Sequence, residues 1–589
     1  MRDILGKLNY IFNAKQKRQM AALLIAIFIG ACLELVGVSL IMPLIRLIST
    51  PEVIEKPGIL SMVYNTMNMH DITDFFVFLV VVIIILYFVK NLFLSAMYYF
   101  QYSYIYKNQL KVAGRLIDCY LKKEYTYHLD HNTSDMIRNI MLDTDRLFQL
   151  ILSVLNVSSE ILLSGLLMLY LVVSDPLMCF IVGGILVICM GLFRLSTKKR
   201  VHAYGQMNQK YDGKMHQAIN QALGAVKDIK ILHREKYFVN QFVTCGEKKM
   251  TALINTNFFG TIPKYVIETV TVAGIMLVLL IKLKSGTDLK SILPQLAAFA
   301  VAAFKLLPSV GKISNYMNNI TFLRPSIDLI YHDLKETEDM IHVEIEDKGE
   351  KLIEDKSVET IDIENLSYRY PKTDEDVLHD VNFSIPLGAS VGLIGESGAG
   401  KSTMADVILG ILFPREGRVR YGKMDVHEYP LAWSEKLAYI PQAIYLADDT
   451  IRANIAFGIE PDKISEKDVW KALDEAQLSD FVRSLPEGLD TMVGERGVRL
   501  SGGQRQRIGI ARALYGDPEI LVLDEATSAL DSDTEKAVME AIDSLHGRKT
   551  LLIIAHRLTT LKNCEYVYRV EGGKVISVDP ASIQAGGTK

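Results

Sequence analysis

The sequence predicts two regions of different class: a membrane α-helical bundle of six transmembrane helices with long cytoplasmic extensions, fused to a C-terminal α/β domain built on a phosphate-binding loop. Three observations carry this. Half of the 589 residues are hydrophobic and the mean hydropathy is +0.20, high for a chain that is water-soluble throughout. The long apolar runs all fall before about residue 322. Beyond about residue 357, short β-branched runs alternate with helical patterns, and one of them enters the loop GESGAGKST. The expected organisation is a membrane region over 1–325, a charged linker over 326–356 and the α/β domain over 357–589.

Composition excludes other classes. The chain has 64 Lys+Arg against 68 Asp+Glu, a net charge of −4, which gives no electrostatic case for a nucleic-acid partner. Richness in Leu, Ile, Val and Phe excludes disorder. The 6 cysteines are scattered without paired spacing, against a disulfide framework or a zinc site.

In chain order, the first element is an amphipathic stretch (Ile4, Leu5, Leu8, Ile11, Phe12) expected to lie in the inner membrane interface. Six stretches then reach the roughly 20 apolar residues a bilayer requires: Ala21–Ile45, Phe75–Met97, Leu147–Val173, Pro176–Phe193, Thr256–Leu283 and Ser291–Met317. The first is too long for a cleavable signal peptide and lacks a small-residue cleavage site, so it is expected to remain as an anchor. Between the first two spans, Ile59, Leu60, Val63, Tyr64 and Met67 form a second amphipathic stretch, either a surface helix on the bundle or a substrate contact.

Orientation follows from the basic residues. Lys15, Lys17 and Arg18 precede span one. The connection between spans two and three carries Lys107, Lys111, Arg115, Lys122, Lys123, Arg138 and Arg146. That between spans four and five carries Lys198, Lys199, Arg200, Lys210 and Lys214. The loop after span one is acidic (Glu52, Glu55, Asp71, Asp74), so both termini are expected on the cytoplasmic side. Lys282, Lys284 and Lys290 beside the last outer loop dissent. The two long basic connections contain almost no proline. Structureless loops of that length are improbable, so the spans are expected to continue as helical arms reaching roughly 30 Å below the membrane.

In the second half, the run Val391–Ile394 leads into Gly395, and a helical pattern follows Lys401. This is the P-loop pattern G-x-x-x-x-G-K-[ST] between a strand and a helix. Candidate phosphate contacts are Gly395, Ser397, Gly398, Gly400, Lys401, Ser402 and Thr403: backbone N–H groups cradle phosphate oxygens, Lys401 reaches the β- and γ-phosphates, and Ser402 supplies an oxygen to Mg²⁺. The strand Ile520–Leu523 ends in Asp524, suited to Mg²⁺, and Glu525, suited to polarising a water. LSGGQ opens a helix, so the amides around Ser501, Gly502, Gly503 and Gln504 can face a phosphate. His556 follows a second apolar strand, where it can meet the γ-phosphate.

In this order and spacing the motifs closely resemble the ATP-binding cassette (ABC) family. The resemblance implies ATP and Mg²⁺ as cofactors, Tyr370 as the aromatic stacked on adenine, Gln442 as a glutamine that senses Mg²⁺, and Asp531 in the loop that closes the site. It also implies that ATP is sandwiched between the P-loop of one cassette and the signature of another, so one chain cannot complete a site. With Glu525 and LSGGQ both intact, a homodimer is favoured over a heterodimer. Six spans with long arms ahead of the cassette resemble the ABC exporter fold, and no peptidase domain is read before span one. The stretches Glu34–Leu44, Gly224–Glu235 and Phe304–Asn315 resemble bacterial lipid-linked oligosaccharide flippases of the PglK-like kind. Gly224–Glu235 is expected to dock on the partner's cassette, as is Ser134–Arg138, unless each is an ordinary helix turn.

Lys90, Lys264 and Lys305 interrupt spans two, five and six. At 1.5 Å per residue they lie roughly 22, 28 and 21 Å from the outer ends of those helices. Charges in spans are costly and usually face a cavity or a partner. One reading is a cationic patch for the pyrophosphate of a lipid-linked substrate. The other is snorkelling to the headgroups or local pairing, as of Lys264 with Glu268. Exporters of drugs, peptides or other lipids, and a membrane ATPase regulating a partner channel, are the competing functions.

Overall fold

The computed structural model describes residues 2–40, 47, 59–67, 71–174, 176–284, 289–340, 358–525, 532–555 and 558–580. The chain divides into two compact units, Met1–Lys123 with His131–His342, and Glu124–Asp130 with Val343–Lys589.

The first unit is helical: α1 (Arg2–Ile11), α2 (Ala14–Ser39), α3 (Ile59–Thr66) and α4 (Ile72–Lys122), then α6 (Thr133–Arg138), α7 (Thr144–Ser174), α8 (Pro176–Gly224), α9 (Val226–Leu232), α10 (Glu235–Lys284) and α11 (Leu289–Met340). The short α5 (Tyr125–Asp130) falls in the other unit. Spans and arms form continuous helices, as the proline-poor connections predict: α4, α8, α10 and α11 have 51, 49, 50 and 52 residues, about 75 Å each at 1.5 Å per residue. Among the described residues, Ala14–Gly37, Ile72–Lys122 and Thr133–Leu169 meet the length and hydropathy of a membrane span. The last helix runs on to Met340, beyond the 325 boundary read from apolarity alone, because its final turns are polar yet packed.

Helix α4 shows how sequence divides the bundle. Asp71 caps it by accepting from the Thr73 amide at 3.2 Å. From Met97 onward, buried residues recur at three- and four-residue steps (Met97, Gln101, Tyr104, Asn108, Val112, Leu116), the stripe of a helix packed on one face. Between Phe75 and Met97, only Lys90 is buried, so this apolar stretch faces outward, as a lipid-embedded helix does. Helix α1 lays Leu8, Ile11 and the following Phe12 into the bundle, and Lys7 pairs with Asp328 of α11 at 2.7 Å.

A single π-turn, Asn139–Asp143, joins α6 to α7. The extra residue in such a turn re-aims a side chain inward, and here it buries Asp143 completely. Asp143 accepts from Ser326 Oγ of α11 at 2.6 Å and pairs with Arg138 and Arg146, each at 3.2 Å. Arg146 continues to Asp212 of α8 at 2.7 Å, and Lys249 of α10 reaches the same carboxylate at 2.6 Å. Burial alone would raise the Asp212 carboxyl, but the Lys249 and Arg146 bonds hold it below the usual carboxylate range. Within the helical unit, Ser134 accepts from Asn220 at 2.7 Å and Arg138 serves Asp143. The segment that clusters with the second unit is α5, whose Asp130 pairs with Lys372 at 2.7 Å.

The second unit holds two sheets. A four-stranded antiparallel sheet is ordered β2-β1-β4-β5, from β1 (Thr360–Tyr368), β2 (Leu378–Pro386), β4 (Glu416–Tyr421) and β5 (Met424–Asp425). A six-stranded sheet is ordered β10-β9-β3-β8-β7-β6, from β3 (Ser390–Ile394), β6 (Leu437–Ile440), β7 (Ile520–Asp524), β8 (Thr550–Ile554), β9 (Tyr566–Glu571) and β10 (Lys574–Val578). Strands β9, β3, β8, β7 and β6 are parallel, with β10 antiparallel at the edge. The runs SVGLI in β3 and TLLII in β8 are wholly buried, as expected of parallel strands covered on both faces. The loops after β3, β6 and β7 leave the sheet at its carboxyl edge, where open α/β sheets bind ligands.

Asp143→Ala should destabilise the helical unit. Breaking a buried pair costs about 3–5 kcal/mol, and because Arg138 and Arg146 retain Asp135 and Asp212, the lower end is expected. A clearly lowered apparent Tm in detergent is the expected outcome, and an unchanged Tm contradicts the network's role.

Candidate nucleotide site

The P-loop follows β3 and ends at α12 (Lys401–Ile408). Its glycines are required by geometry. Gly395 has φ +154°, and a Cβ there would stand 2.3 Å from the carbonyl oxygen of Val570; Gly400, at φ +104°, starts the helix from the left-handed region. These turns aim successive amides inward, making the concavity that receives phosphate. The residues Gly395–Ala399 border a cavity of about 940 Å³ that also touches Asp376, His379 and Arg569.

Lys401 is only 5% exposed, and its ammonium donates to the carbonyls of Gly395 at 2.9 Å and Glu396 at 2.8 Å. Burial holds it below the usual lysine range, against the opposing pull of Glu525 and Asp524. Ser402 hydrogen-bonds the Asp524 carboxylate, so the first turn of α12 and the end of β7 meet at one pair of oxygens. Burial and the neighbouring Glu525 push the Asp524 carboxyl up, and burial with Asp524 pushes Asp406 of α12 up to about 6. Asp524 and Glu525 both act on the single Lys401 ammonium, so carboxylates outnumber it beside a phosphate-binding loop. A divalent cation held by these residues would offset that charge. A Ser402 hydroxyl and an Asp524 carboxylate are the hard oxygen donors that Mg²⁺ takes together with substrate phosphates.

Glu525 has φ +45°, and its amide donates to Ile554 of β8 at 3.1 Å. A non-glycine residue held in this region is strained, and the constraint sets where the carboxylate points. Gln442, just after β6, donates to Glu525 Oε2 at 2.7 Å, joining two of the three residues read as catalytic, the third being His556. Tyr370 packs edge-on against Tyr368 with centroids 5.1 Å apart, and its hydroxyl lies 3.1 Å from Thr403 Oγ1. The expected adenine platform is therefore anchored to the P-loop helix.

The LSGGQ stretch opens α17 (Gly502–Leu514), counting after α13 (Pro430–Lys436), α14 (Ile451–Ile455), α15 (Glu466–Glu475) and α16 (Ser479–Ser484). Ser501 accepts from the Gln504 amide at 3.2 Å, and Gln504 returns the bond to the Ser501 amide at 2.9 Å. This capping box fixes the turn while Ser501 and Gly502 stay exposed and Gly503 is buried. Asp531 and His556 lie outside the described residues. Sequence reasoning missed Asp406 and also Tyr439, whose hydroxyl is 3.5 Å from Asp524. For Asp406 the available signal was its position one turn after Ser402.

In the helical unit, Lys90 is 5% exposed, pairs with Glu34 of α2 at 3.2 Å and stands over the Tyr87 ring at 4.3 Å. Lys264 of α10 stands over Tyr265 at 5.7 Å and packs against Gly311 of α11. The side chain of Lys305 lies outside the described residues. Sequence reasoning missed a second charged pair, Lys312 of α11 with Glu160 of α7 at 2.9 Å. Glu160 is buried, and its second oxygen has no hydrogen-bond partner among the described residues. Two charges within apolar spans were the signal for this pair.

The P-loop, the Ser402–Asp524 pair, the Gln442–Glu525 pair and the capped LSGGQ helix define an ATP-binding cassette. The family described as "ABC transporter" matches residues 378–528, and that described as "ABC transporter transmembrane region" matches residues 54–286. Among curated relatives, an "ATP-dependent lipid A-core flippase" of Idiomarina loihiensis is 29% identical over 496 residues, covering 81% of each chain. One of the same description from Escherichia coli K12 is 41% identical over 231 residues, 39% of each chain. Among solved structures, "Structure of a bacterial Atm1-family ABC exporter with ATP bound" aligns with TM-score 0.74 and 20% identity over 98% of this chain and 99% of the other. The chain belongs to the ABC transporters. It has the exporter arrangement, a membrane domain ahead of one cassette, and couples ATP hydrolysis to transport.

Glu525→Gln should leave ATP binding intact and lower hydrolysis by about 10²–10⁴-fold, the usual loss on removing a general base. Wild-type turnover in that variant would remove Glu525 from the chemistry.

Proposed function

We propose that two copies of this chain form a homodimeric flippase that moves a polyprenyl-pyrophosphate-linked oligosaccharide, or a similar lipid-linked anion, across the bacterial inner membrane. The basic connections argue for a cassette and termini on the cytoplasmic side. In this reading ATP and Mg²⁺ bind between the P-loop of one chain and Ser501–Gln504 of its partner. Ser402 and Asp524 hold the metal, and Gln442 monitors it. Glu525 takes up the proton of the attacking water, with His556 and Asp531 completing the γ-phosphate side. Helix α9, whose Val226, Ile231 and Leu232 are exposed, docks on the partner's cassette.

The observation that supports an anionic substrate most strongly is a concentration of lysines on α10 and α11. Lys264 packs at Gly311, the residue before Lys312, and Lys305 stands two turns earlier on the same helix. Cations in a span are retained where they meet a partner charge, and a pyrophosphate supplies one while the polyprenyl tail stays in lipid. The curated relative matched over 81% of its length carries the name of a lipid flippase, in keeping with a lipid-borne substrate. Lys90 has Glu34 opposite it, which makes it the weakest member of the set.

Reconstitution in vesicles with a panel of polyprenyl-pyrophosphate sugars tests this. Lys264→Gln with Lys305→Gln should abolish translocation while basal ATPase persists, and Lys90→Gln is assayed separately because it removes the cation facing Glu34. Unchanged flipping by the double variant overturns the lysine reading. ATPase stimulation by drugs or peptides, and by no lipid-linked sugar, overturns the substrate class.

A further inference from the structure

Helices α2 and α4 run antiparallel and close on each other at two levels. At one end, Gln16 donates to Asn108 at 3.0 Å and the Tyr104 hydroxyl donates to the Gln16 carbonyl at 3.2 Å. At the other, Gly30 brings the helices close enough that a Cβ there would stand 3.0 Å from Leu94, and the Tyr87 hydroxyl donates to the Gly37 carbonyl at 3.2 Å. Between these clasps the helices part, leaving a groove of about 370 Å³, within the usual range of small-ligand pockets, about 300–1,000 Å³.

The groove has two chemically different ends. Toward the middle of the span it is lined by Ala22, Ala26 and Phe100, the last 63% exposed. Toward the α2 N-terminus it is lined by Lys107 and Lys111 of α4. The register of the two helices sets Lys15, Lys17 and Arg18 of α2 at that same level. Among the described residues none of these five cations is paired with a carboxylate, and no Asp or Glu lines the groove. The positive end coincides with the start of the apolar run of α2 at Ala21, hence with the headgroup level of the membrane.

We propose that this groove holds an anionic phospholipid of the cytoplasmic leaflet, its phosphate against Lys107 and Lys111 and an acyl chain along Ala22, Ala26 and Phe100. Basic side chains at this level attract anionic headgroups, and small residues on α2 leave room for a chain that bulky ones would exclude. The ligand is distinct from the transported substrate: its headgroup site lies on α4 beside α2, whereas Lys264 and Lys312 stand on α10 and α11. The inference takes only the orientation of the chain from the proposed function.

Native mass spectrometry of the full chain, titrated with phosphatidylglycerol or with phosphatidylcholine of the same acyl chains, tests the proposal. The wild type should retain phosphatidylglycerol in preference to phosphatidylcholine. Lys107→Gln with Lys111→Gln should weaken phosphatidylglycerol binding about thirtyfold, from roughly fivefold per basic side chain at an anionic interface. Ala22→Leu with Ala26→Phe should displace both lipids by filling the apolar end, and ATP binding by each variant checks that the chain is folded. Lipid binding unaffected by the lysine pair overturns the proposal. So does a groove that takes inorganic phosphate but is indifferent to the alanine substitutions, since that is a phosphate site without a lipid. No retained lipid in the wild type, with crosslinks between chains through position 100, would assign the groove to a second copy instead.

Discussion

Three of the long helices of the first unit are tied together through one buried carboxylate. Asp143 is fully enclosed, and through Ser326, Arg138 and Arg146 it connects the α6–α7 turn to α11; Arg146, Asp212 and Lys249 carry the connection on to α8 and α10. Helices about 75 Å long bend easily when held at one end. Charges held in fixed geometry away from water resist that bending more than apolar contacts do, because each displaced partner leaves a charge unsatisfied. The apolar spans are largely exposed on α4, so stiffness has to come from the arms. Tyr120, Asn139 and Asp333 add a second polar tie between α4 and α11.

The cassette works on a different electrostatic principle. Its phosphate loop and its carboxylates are held apart in sign but close in space, with Lys401 turned onto loop carbonyls and Asp524, Glu525 and Asp406 crowding one corner. Each half is held by neutral hydrogen-bond partners, Lys401 by loop carbonyls, Asp524 by Ser402 and Glu525 by Gln442. ATP brings the negative charge the loop amides call for, and a divalent cation brings the positive charge the carboxylates call for. LSGGQ, by contrast, is preformed: its capping box leaves the exposed amide end rigid before anything docks on it.

Much of this was legible in the residues, and the pattern of what was not is instructive. Gly395, Lys401, Ser402, Asp524 and Glu525 were readable because phosphate and metal chemistry fix both residue type and spacing along one strand, loop and helix. The long arms were readable because basic connections of that length with almost no proline are improbable as structureless loops. Contacts between distant parts of the chain were not readable. Nothing in the sequence near Lys90 announces Glu34, 56 positions earlier, and the charges at Lys312 and Glu160, each visible inside an apolar span, do not by themselves reveal that they pair. The π-turn that buries Asp143 adds a residue that no periodicity count detects. Nothing in the sequence sets Glu124–Asp130 apart from its neighbours as the segment that clusters with the second unit.

The central claim is that each ATP is hydrolysed between the P-loop of one chain and the signature of another. A mixing experiment tests it most directly. Lys401→Ala chains and Ser501→Arg chains, each inactive alone, are co-expressed and the mixed dimer is isolated by two affinity tags. In that dimer one composite site carries both defects and the other carries neither, so ATPase activity should return to about half that of the wild type if the two sites act independently. A mixed dimer as inactive as either parent, or a verified monomer hydrolysing ATP at the full rate, would contradict the account.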